Sequence, residues 1–200
     1  MNPQPQNRNE PISLHDHAQE NLRFIRAAME STTSFTGVSG LGYGFAGLTA
    51  IPAAWLAQSQ SETNGWLTIW MIELILGASI AFGFTIRKAS GQGDSMLSAS
   101  GRKLLLAFLP AMFAGRLITL SFFLSGFVQL LPGVWLSLYG AAVMTAGAWS
   151  VRAIPIMGAL FIFTGAVAML APVSGDVMLA LGFGCIHIVF GIVIWRKYGG

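Results

Sequence analysis

Between residues 37 and 195 the chain passes through six apolar stretches, at about 37–57, 65–86, 104–125, 132–149, 155–170 and 177–195, each separated from the next by a short polar connection. Each is close to the ~20 residues that an α-helix needs to cross the hydrocarbon of a bilayer. A water-soluble fold has no means of covering six such segments, since 54% of the chain is apolar and only 10% is charged, far from soluble norms. The pattern therefore predicts an all-α polytopic membrane protein with a six-helix transmembrane domain over 37–195.

The basic residues set the expected orientation. Arg8, Arg23 and Arg26 precede the first stretch, Arg87, Lys88, Arg102 and Lys103 lie in the second connection, Arg152 in the fourth, and Arg196 and Lys197 follow the sixth. The first, third and fifth connections carry none. The positive-inside rule then places both termini in the cytoplasm, with 196–200 as a cytoplasmic C-terminus. Trp55, Trp66, Trp70 and Trp135 fall near the outer boundary and Trp149, Trp195 and Tyr198 near the inner one, as an interfacial aromatic belt requires. With no dense Lys/Arg patch among aromatics, nucleic acid is not an expected partner; the expected environment is the lipid bilayer.

Residues 1–12 are polar and proline-bearing and read as a disordered cytoplasmic tail without the apolar core of a signal peptide. Residues 13–34 read as an amphipathic juxtamembrane helix: Ser13 and Asp16 resemble a helix start. Leu14, Ala18, Leu22, Ile25 and Met29 recur along one face, while Glu20–Arg23 and Arg26–Glu30 are spaced to pair. Such a helix lies in the membrane interface or docks a cytoplasmic protein partner.

Small residues mark the expected packing faces. Gly37, Gly40, Gly44 and Gly47 crowd the first span, and Gly140 with Gly147, Gly158 with Gly165, and Gly184 with Gly191 recur at a seven-residue step. That step returns to nearly the same helical face, where a missing side chain lets backbones approach. The same faces are candidates for homo-oligomer formation. Pro132 and Pro155 stand at helix starts, where a missing N–H is no loss, and Pro110 offers a place for a broken helix.

Three polar residues interrupt the spans. Glu73, Arg116 and His187 all lie roughly 12–14 Å below the outer boundary at ~1.5 Å per residue. A charge there must be paired or face water, so the equal depths predict a Glu73–Arg116 ion pair near His187, with Thr119, Tyr139 and Thr145 as candidate liners. Two uses fit such a pair: fixing which helices associate, or carrying an ion, proton or anionic solute. His15, Asp16 and His17 do not share a helical face, Cys185 is the single cysteine, and no HExxH, GxSxG, CxxC or paired-carboxylate motif occurs. No metal site, cofactor or catalytic residue is therefore expected, and enzymatic activity is a poorer reading than either of those two uses.

The segments RFIRAAMESTTSFTGVSGLGYGFAG, LPGVWLSLYGAAVMTAGAWSVRAIPIMGALF and GFGCIHIVFG resemble a family of small multi-pass bacterial integral membrane proteins to which no established activity attaches. The resemblance implies a bacterial inner membrane and no particular chemistry. The functional expectation is a structural, sensory or partner-binding membrane subunit, the alternative being a small transporter built on Glu73, Arg116 and His187.

Overall fold

The computed structural model describes residues 17–25 and 34–199. They belong to two separate units, one up to Thr33 and one from Ser34 onward. In the first, residues 17–25 are helical and exposed throughout. The tail 1–12, the helix start at Ser13 and Asp16, and Leu14, Arg26, Met29 and Glu30 lie outside the described residues.

The second unit contains six helices: α1 (Gly40–Gln58), α2 (Thr63–Gly91), α3 (Ala99–Ser125), α4 (Leu131–Gly147), α5 (Ala153–Leu170) and α6 (Gly175–Tyr198). All six, α4 together with the 3-10 turn Val128–Leu130 that leads into it, are long and apolar enough to cross a membrane, and no strand occurs among the described residues. Local chemistry sets several ends. Ser39 caps α1, its hydroxyl accepting from Gly42 N–H at 3.2 Å, and Ser98 caps α3 by accepting from Gly101 N–H at 3.2 Å. Gly126, at φ 77°, supplies the left-handed residue that stops α3, and Phe127 N–H closes on the Phe122 carbonyl at 2.9 Å. Helix α2 runs past its apolar stretch to Gly91 because no breaker intervenes after Ile86, so Arg87 and Lys88 are helical. Helix α3 continues through Pro110 without a break. The irregular helix is instead α6, where Ala180–Ile186 is a π segment.

The helices do not pack in chain order. The α4–α5 hairpin is the most extensive contact, followed by α1 with α2 and α1 with α6; α3 packs on α4, and α2 and α3 make no extended contact although they are consecutive. Glycines allow the two tightest crossings. A Cβ on Gly140 would stand 2.7 Å from the Gly158 carbonyl oxygen, one on Gly158 2.6 Å from that of Gly140, and one on Gly165 2.9 Å from that of Gly133. Gly147 is pressed on Pro155 in the same way. Between α1 and α6, a Cβ on Gly40 would run into Gly191 and Trp195, and one on Gly47 would lie 2.7 Å from the Gly184 oxygen. Gly44 itself faces open space, but its backbone N is where a Cβ on Gly191 would land, at 2.6 Å. Gly37 precedes α1 and lies against the Phe35 ring and Ala89. Apart from the open position at Gly44, these glycine faces are occupied inside one chain. They leave little of themselves for a homo-oligomer.

Around these crossings Leu131, Leu136, Met157, Phe161, Leu179 and Ile194 are fully buried. At one end of the bundle the segment before α1 is stitched beneath it. Phe35 is fully buried, its N–H donates to the Trp149 carbonyl at 2.8 Å, and its carbonyl accepts from the Ser150 hydroxyl at 2.8 Å. The starts of α1, α3 and α5 and the ends of α2, α4 and α6 meet at this end, bringing Arg87, Lys88, Arg102, Lys103, Arg152, Arg196 and Lys197 with them. The opposite end carries Trp66, Trp70, Trp135 and Asp176.

Candidate functional site

Glu73 lies on the seam between α1 and α2 and is 9% exposed. Thr49 Oγ1 donates to its Oε1 at 2.9 Å while standing 2.8 Å from the Ala46 carbonyl. The carboxyl fits because Gly77 has no side chain: a Cβ there would lie 3.3 Å from Oε1. Arg116 is elsewhere. It projects from α3 as an exposed residue, and no hydrogen bond or ion pair joins it to any described residue. The Glu73–Arg116 pair is not formed. Equal depth along the membrane normal does not make two helices neighbours, and α2 rests on α1 while α3 rests on α4.

His187 occupies a third place, at the start of the regular helix that follows the π segment. Its Nδ1 lies 3.0 Å from the Phe183 carbonyl, a group that only accepts, so Nδ1 carries a proton. Nε2 of the neutral ring is then the acceptor for the Tyr139 hydroxyl at 2.7 Å. Four aromatic rings enclose the imidazole. Phe183 stacks on it at 6.0 Å and 16°, Phe161 meets it edge-on at 5.1 Å, and Tyr139 and Tyr43 stand at 5.4 and 5.5 Å. Gly47 permits this closeness, since a Cβ there would fall 3.0 Å from His187 Cβ. The enclosure supplies hydrogen bonds to both ring nitrogens and a dry wall on several sides, which holds an imidazole in place.

Of the expected liners, Tyr139 does reach His187; the two threonines do not. Thr119 accepts from Trp135 Nε1 at 2.8 Å and donates to the Gly115 carbonyl at 2.7 Å. Thr145 reaches the Ala107 carbonyl across the same seam at 3.1 Å. Both fasten α3 to α4.

Two further polar anchors emerge at the ends. Asp176 Oδ1 accepts from Trp66 Nε1 at 2.7 Å and Trp70 Nε1 at 3.3 Å, and Trp66 stacks on Trp135 at 5.4 Å and 15°. Trp135 in turn bonds Thr119, so this relay ties α2, α3, α4 and α6 together. The signal available in the sequence was Trp66 and Trp70 at i, i+4, two indole donors on one helical face with a single acid just before the sixth apolar stretch at 177–195. At the basic end Lys88, 8% exposed, donates to the carbonyls of Val38, Tyr198 and Gly199 at 3.0, 2.8 and 2.7 Å. An ammonium at the carboxyl end of α6 satisfies orphan carbonyls and opposes the negative end of the helix dipole. Nothing in the local sequence separates Lys88 from its solvated neighbour Arg87, because what distinguishes them is where α6 ends.

Among the described residues no group of three His, Cys, Asp or Glu side chains converges to hold a metal ion; Cys185 is exposed on α6. Compared with known protein families, curated proteins and solved structures, the chain matches none.

Proposed function

We propose that this chain is an assembly subunit of a membrane complex, built as a rigid bundle that presents α3 to another membrane protein. The observation that carries the proposal is the contrast between the interior and α3. His187, Asp176 and Lys88 each meet hydrogen-bonding partners within the chain, and Glu73 meets Thr49. These groups lie at separate seams rather than along one path. Helix α3 has no buried position in its most apolar window and carries Arg116 exposed on that surface. The transport alternative needs Glu73, Arg116 and His187 in one cavity, and the packing of α2 and α3 on different neighbours gives it no support.

In the same reading the basic end faces the cytoplasm of a bacterial inner membrane, supported by the Lys/Arg distribution and the family resemblance, and the helix through residues 17–25 offers a second, cytoplasmic contact. The test is the mass of the complex extracted in native-lipid particles. The wild type is expected to migrate as an assembly larger than one chain, and Phe113→Ala with Leu117→Ala on α3 to reduce it to a single chain. Wild type that is already a single chain would defeat the proposal.

A further inference from the structure

We infer that α3 docks against a transmembrane helix of a different protein, one that carries a carboxylic acid near the middle of the membrane opposite Arg116. The inference rests on reading α3 as an assembly face and adds the chemistry of the partner.

The outward face of α3 is a ridge. Leu106, Leu109, Phe113 and Leu120 are 67, 52, 65 and 57% exposed, and together with Arg116 they follow alternating steps of three and four residues. That spacing is the a/d seam of helices that pack at a shallow left-handed crossing, with Arg116 in a d position. The opposite face of the same helix is already used against α4. Thr119 meets Trp135, the Ala107 carbonyl meets Thr145, a Cβ on Gly115 would touch Leu138, and Phe108 meets Tyr139. The ridge is thus a complete second seam without an occupant among the described residues.

Arg116 decides what fits that seam. It lies about 13 Å from the Ser125 end of α3 and about 21 Å from Arg102, counted at about 1.5 Å per residue, so its guanidinium is not carried to either headgroup layer by position. A guanidinium at that depth demands an anion or water, and a planar fork of donors matches a carboxylate in two parallel hydrogen bonds. This chain cannot provide that carboxylate from a second copy. Glu73 is the only acid in the middle of any of the six spans; it is buried on the α1–α2 seam and bound by Thr49, while Asp176 stands in the first turn of α6, held by Trp66 and Trp70. Two α3 helices facing each other would also bring two Arg116 cations together. A single polar residue in such a seam also fixes the register in which two helices meet, so the partner's acid must lie level with Arg116.

The probe is a designed single-span helix of leucine and alanine with one Glu at its centre, compared with the same helix carrying Leu there. Both are reconstituted with the full chain in phosphatidylcholine vesicles, and association is read by energy transfer to a dye at Ser61→Cys in a Cys185→Ala background. The Glu helix is expected to associate at least tenfold more tightly than the Leu helix. The difference should vanish in Arg116→Leu, persist in part in Arg116→Lys, and leave the size-exclusion profile of each variant unchanged. Equal association of the two helices with wild type, or a difference that survives Arg116→Leu, overturns the inference. If both helices bind equally and Phe113→Ala with Leu117→Ala releases them, the assembly face stands and the acidic partner falls. If neither binds, both fall; stabilisation by phosphatidylglycerol that requires Arg116 would then assign the guanidinium to a lipid phosphate.

Discussion

Replacing Tyr139 with Phe removes one oxygen from the bundle and tests whether His187 is held by its surroundings. Nε2 of His187 accepts the Tyr139 hydroxyl at 2.7 Å, and the residue is 5% exposed, so no water is at hand to replace that bond. A buried acceptor left unpaired costs about 1–3 kcal/mol, and the lost hydroxyl adds little because the ring remains among Phe161, Phe183 and Phe108. Tyr139→Phe should therefore destabilise by about 2 kcal/mol. His187→Leu should cost more, because it gives up the contacts with four rings, each worth about 0.5–1.5 kcal/mol, and strands the Tyr139 hydroxyl. With both changes the stranded partner disappears, so the double variant should fall short of the sum by about 1–2 kcal/mol. Unfolding in mixed micelles of rising SDS fraction, followed by tryptophan fluorescence, gives the four free energies. A Tyr139→Phe variant within about 0.5 kcal/mol of wild type, or a double variant that merely sums the singles, would refute the reasoning.

Lys88→Met leaves three carbonyls without their donor and should cost about 2–4 kcal/mol in the same titration, with Lys88→Arg recovering part of the loss. Gly140→Val should separate α4 from α5, since the first added carbon already stands 2.7 Å from the Gly158 oxygen; a cost of about 3 kcal/mol or failure to fold is expected, read as loss of the monodisperse size-exclusion peak. Asp176→Asn should weaken the double indole contact and shift tryptophan emission from Trp66 and Trp70 to the red as that end loosens. Arg116→Leu should have the opposite sign. Because the guanidinium meets no group among the described residues, the isolated bundle should insert more favourably, by about 3 kcal/mol on insertion scales, a change measurable in a translocon insertion assay on the α3 segment.

The six spans were legible because length and apolarity alone decide whether a helix can cross hydrocarbon, and both can be counted along the chain. The seven-residue glycine steps carried real packing information too, with Gly140 opposed to Gly158 and Gly191 to the α1 backbone, and Gly133, at the same step before Gly140, is opposed to Gly165. The polar site was legible only in depth. Counting residues from a helix end places Glu73, Arg116 and His187 along the membrane normal, but which helix stands beside which depends on side-chain shape summed over whole faces. The consecutive helices α2 and α3 therefore invited a pairing that their packing on α1 and α4 does not make. The Tyr139–His187 bond crosses from α4 to α6; the sequence offered Tyr139 as one of three candidate liners, with nothing to separate it from Thr119 and Thr145. The π segment that precedes His187 has no composition of its own to announce it.

The central claim, that α3 is an interface, is tested most directly by the oxygen accessibility of spin labels placed one at a time along it in a Cys185→Ala background, in particles that retain the native membrane. Labels at Leu109, Phe113 and Leu120 are expected to be shielded from oxygen relative to labels on the exposed α2 positions Ile72 and Ile75, with minima recurring every three to four residues as a seam requires. Uniformly high accessibility along the ridge, equal to that of α2, would show α3 bathed in lipid and would contradict the account.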